Sequence, residues 1–302
     1  MHAGDGLGLV GELLGRRTVV KGVQMTRAGF IGLGSQGLGM AQRIIEQGVP
    51  TTLWARREVS LEPFAGSATF AADPVELGRA SDVVGICVTD GAAVRDVTLG
   101  PRGVLAGMAE DSVLALHATI GADECAEIAD AAAALGIYVI DAPVSGGGAA
   151  AAAGRLTVYV GGADDAVARA RPVLETYGDP VLHMGALGAG LRTKLLNNAL
   201  NAAHFALAHD ALAIGAALGL DPNTLGAALR SGSGRSFSLE VFVGLRSFDA
   251  IADHVGPIMS KDISLFERET AAAPDRAVLL ESADRFLELV GHPRGFAEEG
   301  AR

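Results

Sequence analysis

The stretch from Gly29 to Met40, GFIGLGSQGLGM, decides the fold. Gly32, Gly34 and Gly37 stand there in G-x-G-x-x-G spacing, directly after a short apolar run of strand type and at the head of a helical pattern. In that setting each glycine has its own task. The first permits a tight turn, the second lets the backbone approach a pyrophosphate, and the third allows close helix–strand packing. The helix N-terminus adds the positive end of its dipole. The bare spacing carries little in a chain with 41 glycines. Its place between a strand and a helix is what gives it weight. A dinucleotide is therefore expected against Gly32, Leu33, Gly34, Ser35, Gln36 and Gly37.

Outward from this turn, short apolar runs alternate with helical stretches as far as about Gly185. AGFIGL, PTTLWA, DVVGICV, SVLALHA, IYVID, LTVYVG and VLHMG read as strands. GMAQRIIEQG, DPVELGRA, ADECAEIADAAAALG and DDAVARARPVLETYG read as helices between them. Such alternation implies a doubly wound, mostly parallel sheet of Rossmann type. Beyond it, GLRTKLLNNALNAAHFALAHDALAIGAALGL is apolar nearly all round, which describes a long helix at a domain or subunit junction. Only helical patterns follow. The expected fold is thus α/β: a dinucleotide-binding domain over 25–187, then an all-helical substrate and oligomerisation domain over 188–302, joined through the long helix. Residues 1–24 are Gly-rich without a continuous apolar core and read as a disordered extension.

The 302 residues suffice for two domains with sizeable cores. A formal net charge of -11 argues against a nucleic-acid or anionic-membrane partner, which would need a dense basic face. Cys87 and Cys125 have no ligand or disulfide spacing, so a cytoplasmic, reducing setting is expected. No apolar run reaches the roughly 18 residues needed to span a bilayer.

Three further stretches carry chemistry. The second strand ends in Arg56 and Arg57, with no acid before Glu58. An NAD site usually places an acid there for the ribose hydroxyls, whereas arginines suit a 2′-phosphate, so NADP is expected over NAD. Next, DAPVSGGGAAAAAGRL, from Asp141 to Leu156, has the composition of a flexible spacer. Strand patterns on both sides hold its ends, and successive glycine N–H groups there could form an anion-binding nest. Finally, Lys194 and Asn198 lie one helical turn apart, flanked by Asn197 and Asn201. A lysine in an apolar helix has a readily lowered pKa, which suits proton transfer. A lysine snorkelling at a helix end fits the residues equally well. His204 and His209, five apart, do not share a helix face, so no metal is expected.

Taken together, the ordered motifs resemble those of the β-hydroxyacid dehydrogenases, the group of 3-hydroxyisobutyrate dehydrogenase and tartronate semialdehyde reductase. The likeness runs from about Thr26 to Val290. GFIGLGSQGLGMA resembles the cofactor loop, DAPVSGGGAAAAAGRLTVYVGG the substrate loop, GAGLRTKLLNN the catalytic helix, and MSKDISLF the segment whose lysine approaches the cofactor. The resemblance implies that Ser145, Gly146 and Gly147 bind a substrate carboxylate, and that Lys194 is catalytic with Asn198 beside it. It also implies that Val88, Thr89, Thr119 and Lys261 contact the cofactor. Gln36, Ala150, Arg155 and HATIGA depart from the family pattern, which affects the substrate more than the reaction.

The expectation is an NAD(P)-dependent enzyme that interconverts a small 3-hydroxy carboxylate and its semialdehyde, with Lys194 as general acid and base. An imine reductase is the second enzyme reading, although such enzymes usually lack the lysine. A non-catalytic NADPH-binding module is a reading from another class. A homodimer or homotetramer is expected from the apolar helix.

Overall fold

The computed structural model describes residues 26–245 and 247–295, so the expected extension over 1–24 lies outside it. At the centre of the sheet, β1 (Ala28–Ile31) lies between β2 (Thr51–Trp54) and β4 (Val83–Ile86), parallel to both. With β3 (Thr69–Phe70), β5 (Val113–Leu116) and β6 (Tyr138–Asp141), the order is β3-β2-β1-β4-β5-β6, all parallel. The sheet continues through β8 (Leu156–Gly161), which runs antiparallel to β6 and to the two-residue β7 (Val144–Ser145). The strand β9 (Gly178–Gly185) lies parallel to β8. The seven expected strands all form, and the chain reverses its direction of winding at β1 and β4. That switch point opens a crevice at the strand C-termini.

Strand periodicity of two sends alternate side chains to opposite faces. Phe30, Val113, Ala115 and Ile140 go to one face, where they meet α1 (Gly37–Glu46), α5 (Gly147–Ala152) and α6 (Asp164–Leu174). Ile31, Val84, Leu114 and Leu116 go to the other, against α2 (Pro74–Arg79), α3 (Gly91–Leu99) and α4 (Ala122–Ala133). Burying each large side chain contributes roughly 1.5–3 kcal/mol. Within this core the His117 ring stacks near Phe30, and its Nδ1–H donates to the Ala142 carbonyl at 2.7 Å. Burial pushes its pKa down to about 4, so it is a neutral structural group that pins the chain after β6.

The Asp141–Leu156 stretch differs from its expected form as a loop. After β7 the chain turns at Gly146 and Gly147, both at positive φ (131° and 72°), and then winds into the short helix α5. The alanine run supplies the helix propensity, and Ala151 packs into the core. The expected loop is thus a turn followed by a packed helix.

A third core belongs to the C-terminal helices. The 29-residue α7 (Ala189–Ala217) is followed by α8 (Pro222–Ser231), α9 (Phe237–Leu245), α10 (Asp249–Glu269) and α11 (Ala277–Leu289). Ala199, Ala202 and Ala206 on α7 keep its surface low, so Phe242, Phe266 and Phe286 close over it. The helix is not covered all round: Leu200, Leu207 and Ile214 remain about half exposed. Among the described residues no helix is long and apolar enough to cross a membrane.

Candidate active site

Two glycines of the first turn stand where the backbone closes too tightly for a Cβ. Gly32 has φ +100°, and a Cβ there would overlap the Cys87 carbonyl. A Cβ on Gly37 would overlap the Gly32 carbonyl, so α1 can start this close to β1 only with glycine. At Gly34 an added Cβ meets nothing within 4 Å: the backbone borders open space into which a phosphate could come. No side chain caps the N-terminus of α1, which leaves that end free to meet an anion.

A cleft of about 340 Å³ opens from this turn. Gly32, Leu33, Gly34, Arg56, Arg57, Val88 and Thr89 line it together with Trp54, Ser60 and Cys87. The residues therefore fit a dinucleotide, with both arginines at the β2 end. Arg56 donates to Asp96 at 3.4 Å across the cleft wall, an exposed pair that water screens. The Thr89 hydroxyl donates to Asp90. Ser60 was not singled out from the sequence; it lies in a 3-10 turn whose pattern gave no signal.

The proposed substrate turn abuts the cofactor turn. A Cβ on Gly148 would lie 2.8 Å from the Ser35 carbonyl oxygen, so the two loops touch through backbone. An added Cβ on Gly147 meets nothing within 4 Å, so this turn too borders open space. The Ser145 side chain hydrogen-bonds the Tyr159 phenol, whose pKa burial raises.

Asp141 fixes the helix that carries Lys194. Its carboxylate, fully buried, accepts the Gly188 and Leu191 amides at 2.7 and 2.6 Å, and so caps the first turn of α7. A Cβ on Gly190 would overlap the Tyr159 carbonyl, which seats that turn directly on β8. Lys194 follows one turn later, partly buried. Desolvation lowers its pKa, Asp262 works in the opposite direction, and Lys261 adds to the lowering.

A continuous polar chain runs past this lysine. The Tyr159 hydroxyl donates to Asn197 Oδ1 at 3.3 Å, and Asn197 Nδ2 donates to Asn198 Oδ1 at 3.1 Å. Asn198 Nδ2 donates to Asp262 Oδ2 at 2.6 Å. Lys261 Nζ donates to Asp262 Oδ1 at 2.7 Å and to the Thr119 carbonyl at 2.6 Å. Ser145, Asn198, Thr119 and Lys261 are thus joined by hydrogen bonds around Lys194. Asn201 lies outside this chain, accepting from Ser238 instead. Tyr159 and Asp262 were missed from sequence. The first read as an ordinary strand residue, and the second stood in MSKDISLF beside Lys261 without a role of its own.

Comparison with known proteins identifies the family. Residues 27–185 match the family model described as the NAD binding domain of 6-phosphogluconate dehydrogenase. Residues 188–298 match that described as NAD-binding of NADP-dependent 3-hydroxyisobutyrate dehydrogenase. The 3-hydroxyisobutyrate dehydrogenase of Pseudomonas aeruginosa is 35% identical over 219 residues, covering 72% of this chain and 74% of the relative. The NAD-dependent L-serine dehydrogenase of the same organism is 32% identical over 283 residues, 91% of this chain and 95% of the relative. Among solved structures, Mycobacterium tuberculosis 3-hydroxyisobutyrate dehydrogenase with L-serine superimposes with a TM-score of 0.77. Its identity is 25%, with 89% of this chain and 96% of that one covered. Fold, site and relatives define an NAD(P)-dependent oxidoreductase that acts on CH–OH groups. The chain belongs to the β-hydroxyacid dehydrogenase family.

Proposed function

We propose that this enzyme interconverts a small 3-hydroxy carboxylate and its semialdehyde, with NADP preferred over NAD. The observation that carries the reading is the desolvated Lys194 beside Asn198, linked through Asn197 and Tyr159 to the Ser145 turn. In this reading 25–187 binds the dinucleotide, and 188–302 carries the proton-transfer group and joins copies of the chain.

The residues divide the work. Gly32–Gly37 holds the cofactor phosphates, and Arg56 and Arg57 supply the counter-charge for a 2′-phosphate. Val88 and Thr89 line the cleft, while Thr119 and Lys261, bonded to each other, would contact the cofactor. When bound, the nicotinamide supplies the acceptor or donor of hydride. Ser145, Gly146 and Gly147 grip the substrate carboxylate by backbone N–H groups and one hydroxyl. That grip fixes the hydroxyl-bearing carbon, an orientational contribution to rate. In oxidation the neutral Lys194 amine takes the hydroxyl proton; in reduction the ammonium gives it back to the forming alkoxide. Desolvation favours the neutral amine, which supports the oxidative role.

Oxidation of a panel of 3-hydroxy carboxylates, each with NAD and with NADP, tests this. Turnover of at least one, faster with NADP, is expected. Tight NADPH binding with no turnover across the panel would instead favour the non-catalytic reading.

For the assembly, the proposed partner is a second copy. Leu200, Leu207 and Ile214 recur every seventh residue on α7, with relative exposures of 49%, 58% and 61%. A helix–helix seam uses that spacing, and two-fold symmetry would bring the same stripe onto itself. The free thiols of Cys87 and Cys125 suit a cytoplasmic setting.

A further inference from the structure

We infer that Asp262 is the positioning residue of this site: one buried carboxylate that holds Asn198 and Lys261 as a unit and is the counter-charge shared by Lys261 and Lys194. The inference rests on the role proposed for Lys194.

Asp262 is 1% exposed. One oxygen receives the Asn198 amide at 2.6 Å and the other the Lys261 ammonium at 2.7 Å. Lys261 is held in turn by the Thr119 carbonyl, which follows β5. The carboxylate is therefore anchored between α7 and α10 and, through Lys261, to the sheet. A carboxylate withdrawn this far from water persists only when it is paired and hydrogen-bonded. Here the carboxylate pairs directly with Lys261, and it acts on Lys194 through its charge alone.

The charges acting on Lys194 follow from that arrangement. Burial weighs most heavily against the ammonium, Asp262 favours it, and Lys261 opposes it. Other titratable groups on elements packed against this end of α7 are bonded elsewhere. Asp141 on β6 is taken up by the Gly188 and Leu191 amides, and Tyr159 on β8 by Asn197. His183 on β9 lies against the Gly162 and Gly185 carbonyls. Beside burial, Asp262 and Lys261 are then the two charges that bear on how readily Lys194 releases its proton. They act in opposite directions.

The chain has only three lysines, Lys21, Lys194 and Lys261, which makes a direct test practical. Reductive methylation of the full chain with ¹³C-formaldehyde gives one methyl signal per lysine, assigned with Lys194→Arg and Lys261→Met. The pH midpoint of the Lys194 signal is then followed. Asp262→Asn, which still offers an oxygen to Asn198, should lower that midpoint by about 1–3 pH units. Lys261→Met, which leaves Asp262 to Lys194 alone, should raise it. A merely structural role would not produce opposite shifts in two folded variants. Unmoved midpoints in both would overturn the proposal. Should Asp262→Asn fail to fold, an unmoved or lowered midpoint in Lys261→Met overturns it alone. The readout needs no turnover. Its failure is therefore distinct from failure of the Lys194 reading, which would show as an unchanged rate in Lys194→Ala.

Discussion

The buried carboxylate of Asp141 accepts the Leu191 amide at 2.6 Å, and this bond ties the end of β6 to the first turn of the helix that carries Lys194. Asp141→Ala leaves the Gly188 and Leu191 amides without their acceptor, at a cost of at least about 2 kcal/mol. Urea unfolding should show this as a lower midpoint with an unchanged slope. A loss below about 0.5 kcal/mol would mean that other groups cap α7.

The same residue makes a prediction about pH. Burial raises the Asp141 pKa above the ordinary 3.8, and the bonds to Gly188 and Leu191 only partly offset this. The folded state then binds a proton more readily than the unfolded chain. Its contribution to stability is full below the unfolded value and declines as pH rises through the raised folded value. The stability difference between the natural chain and Asp141→Asn should therefore fall as pH rises above 3.8 through that window. A difference that rises over the same range would reverse the assignment.

Two glycines of the cofactor turn should separate folding from binding. Gly34→Ala adds a methyl to open space, so stability should change by no more than about 0.5 kcal/mol. The methyl stands where the phosphates are expected, so NADPH affinity should fall about tenfold or more, read by cofactor fluorescence. Gly37→Ala forces a methyl into the Gly32 carbonyl and should lower the melting temperature as well. Equal effects on binding and stability in both variants would contradict this division.

How much of this was legible follows from which interactions are local. The strands and the cofactor turn were readable because apolar runs, glycine spacing and helix starts are properties of neighbouring residues. The helix α5 was hidden because glycines at 146–148 mask the propensity of the alanines after them. Asp262 was hidden for another reason: its partner Asn198 lies 64 residues away, and only packing of α10 on α7 takes it out of water. Tyr159 announced a strand but not which of its faces would meet Asn197. The Arg56–Asp96 pair, 40 residues apart, could not be read from the run of arginines either.

That pair bears on cofactor choice. Arg56→Ala should reduce the ratio of kcat/KM with NADP to that with NAD by about 10-fold or more, as expected for a lost charge-assisted contact. Asp96→Asn frees the guanidinium from its present partner, so the ratio should rise by a few-fold. Steady-state kinetics with both cofactors checks both directions. Ratios unmoved by either change would remove Arg56 from the recognition of the 2′-phosphate.

Lys194 itself makes the most demanding prediction. If it transfers the proton, Lys194→Ala should lower kcat by about 10²–10⁴ in both directions while NADPH affinity holds. Lys194→Arg keeps a positive charge but cannot act as a base near neutral pH, so it should not restore oxidation. The pH dependence has a definite sign. Oxidation needs the neutral amine, so its rate should climb with pH through a midpoint below the usual 10.5, because desolvation lowers this pKa. Reduction needs the ammonium and should decline through the same region. An oxidation rate that falls with rising pH across that midpoint, or a Lys194→Ala variant of normal turnover, would assign the proton to another group.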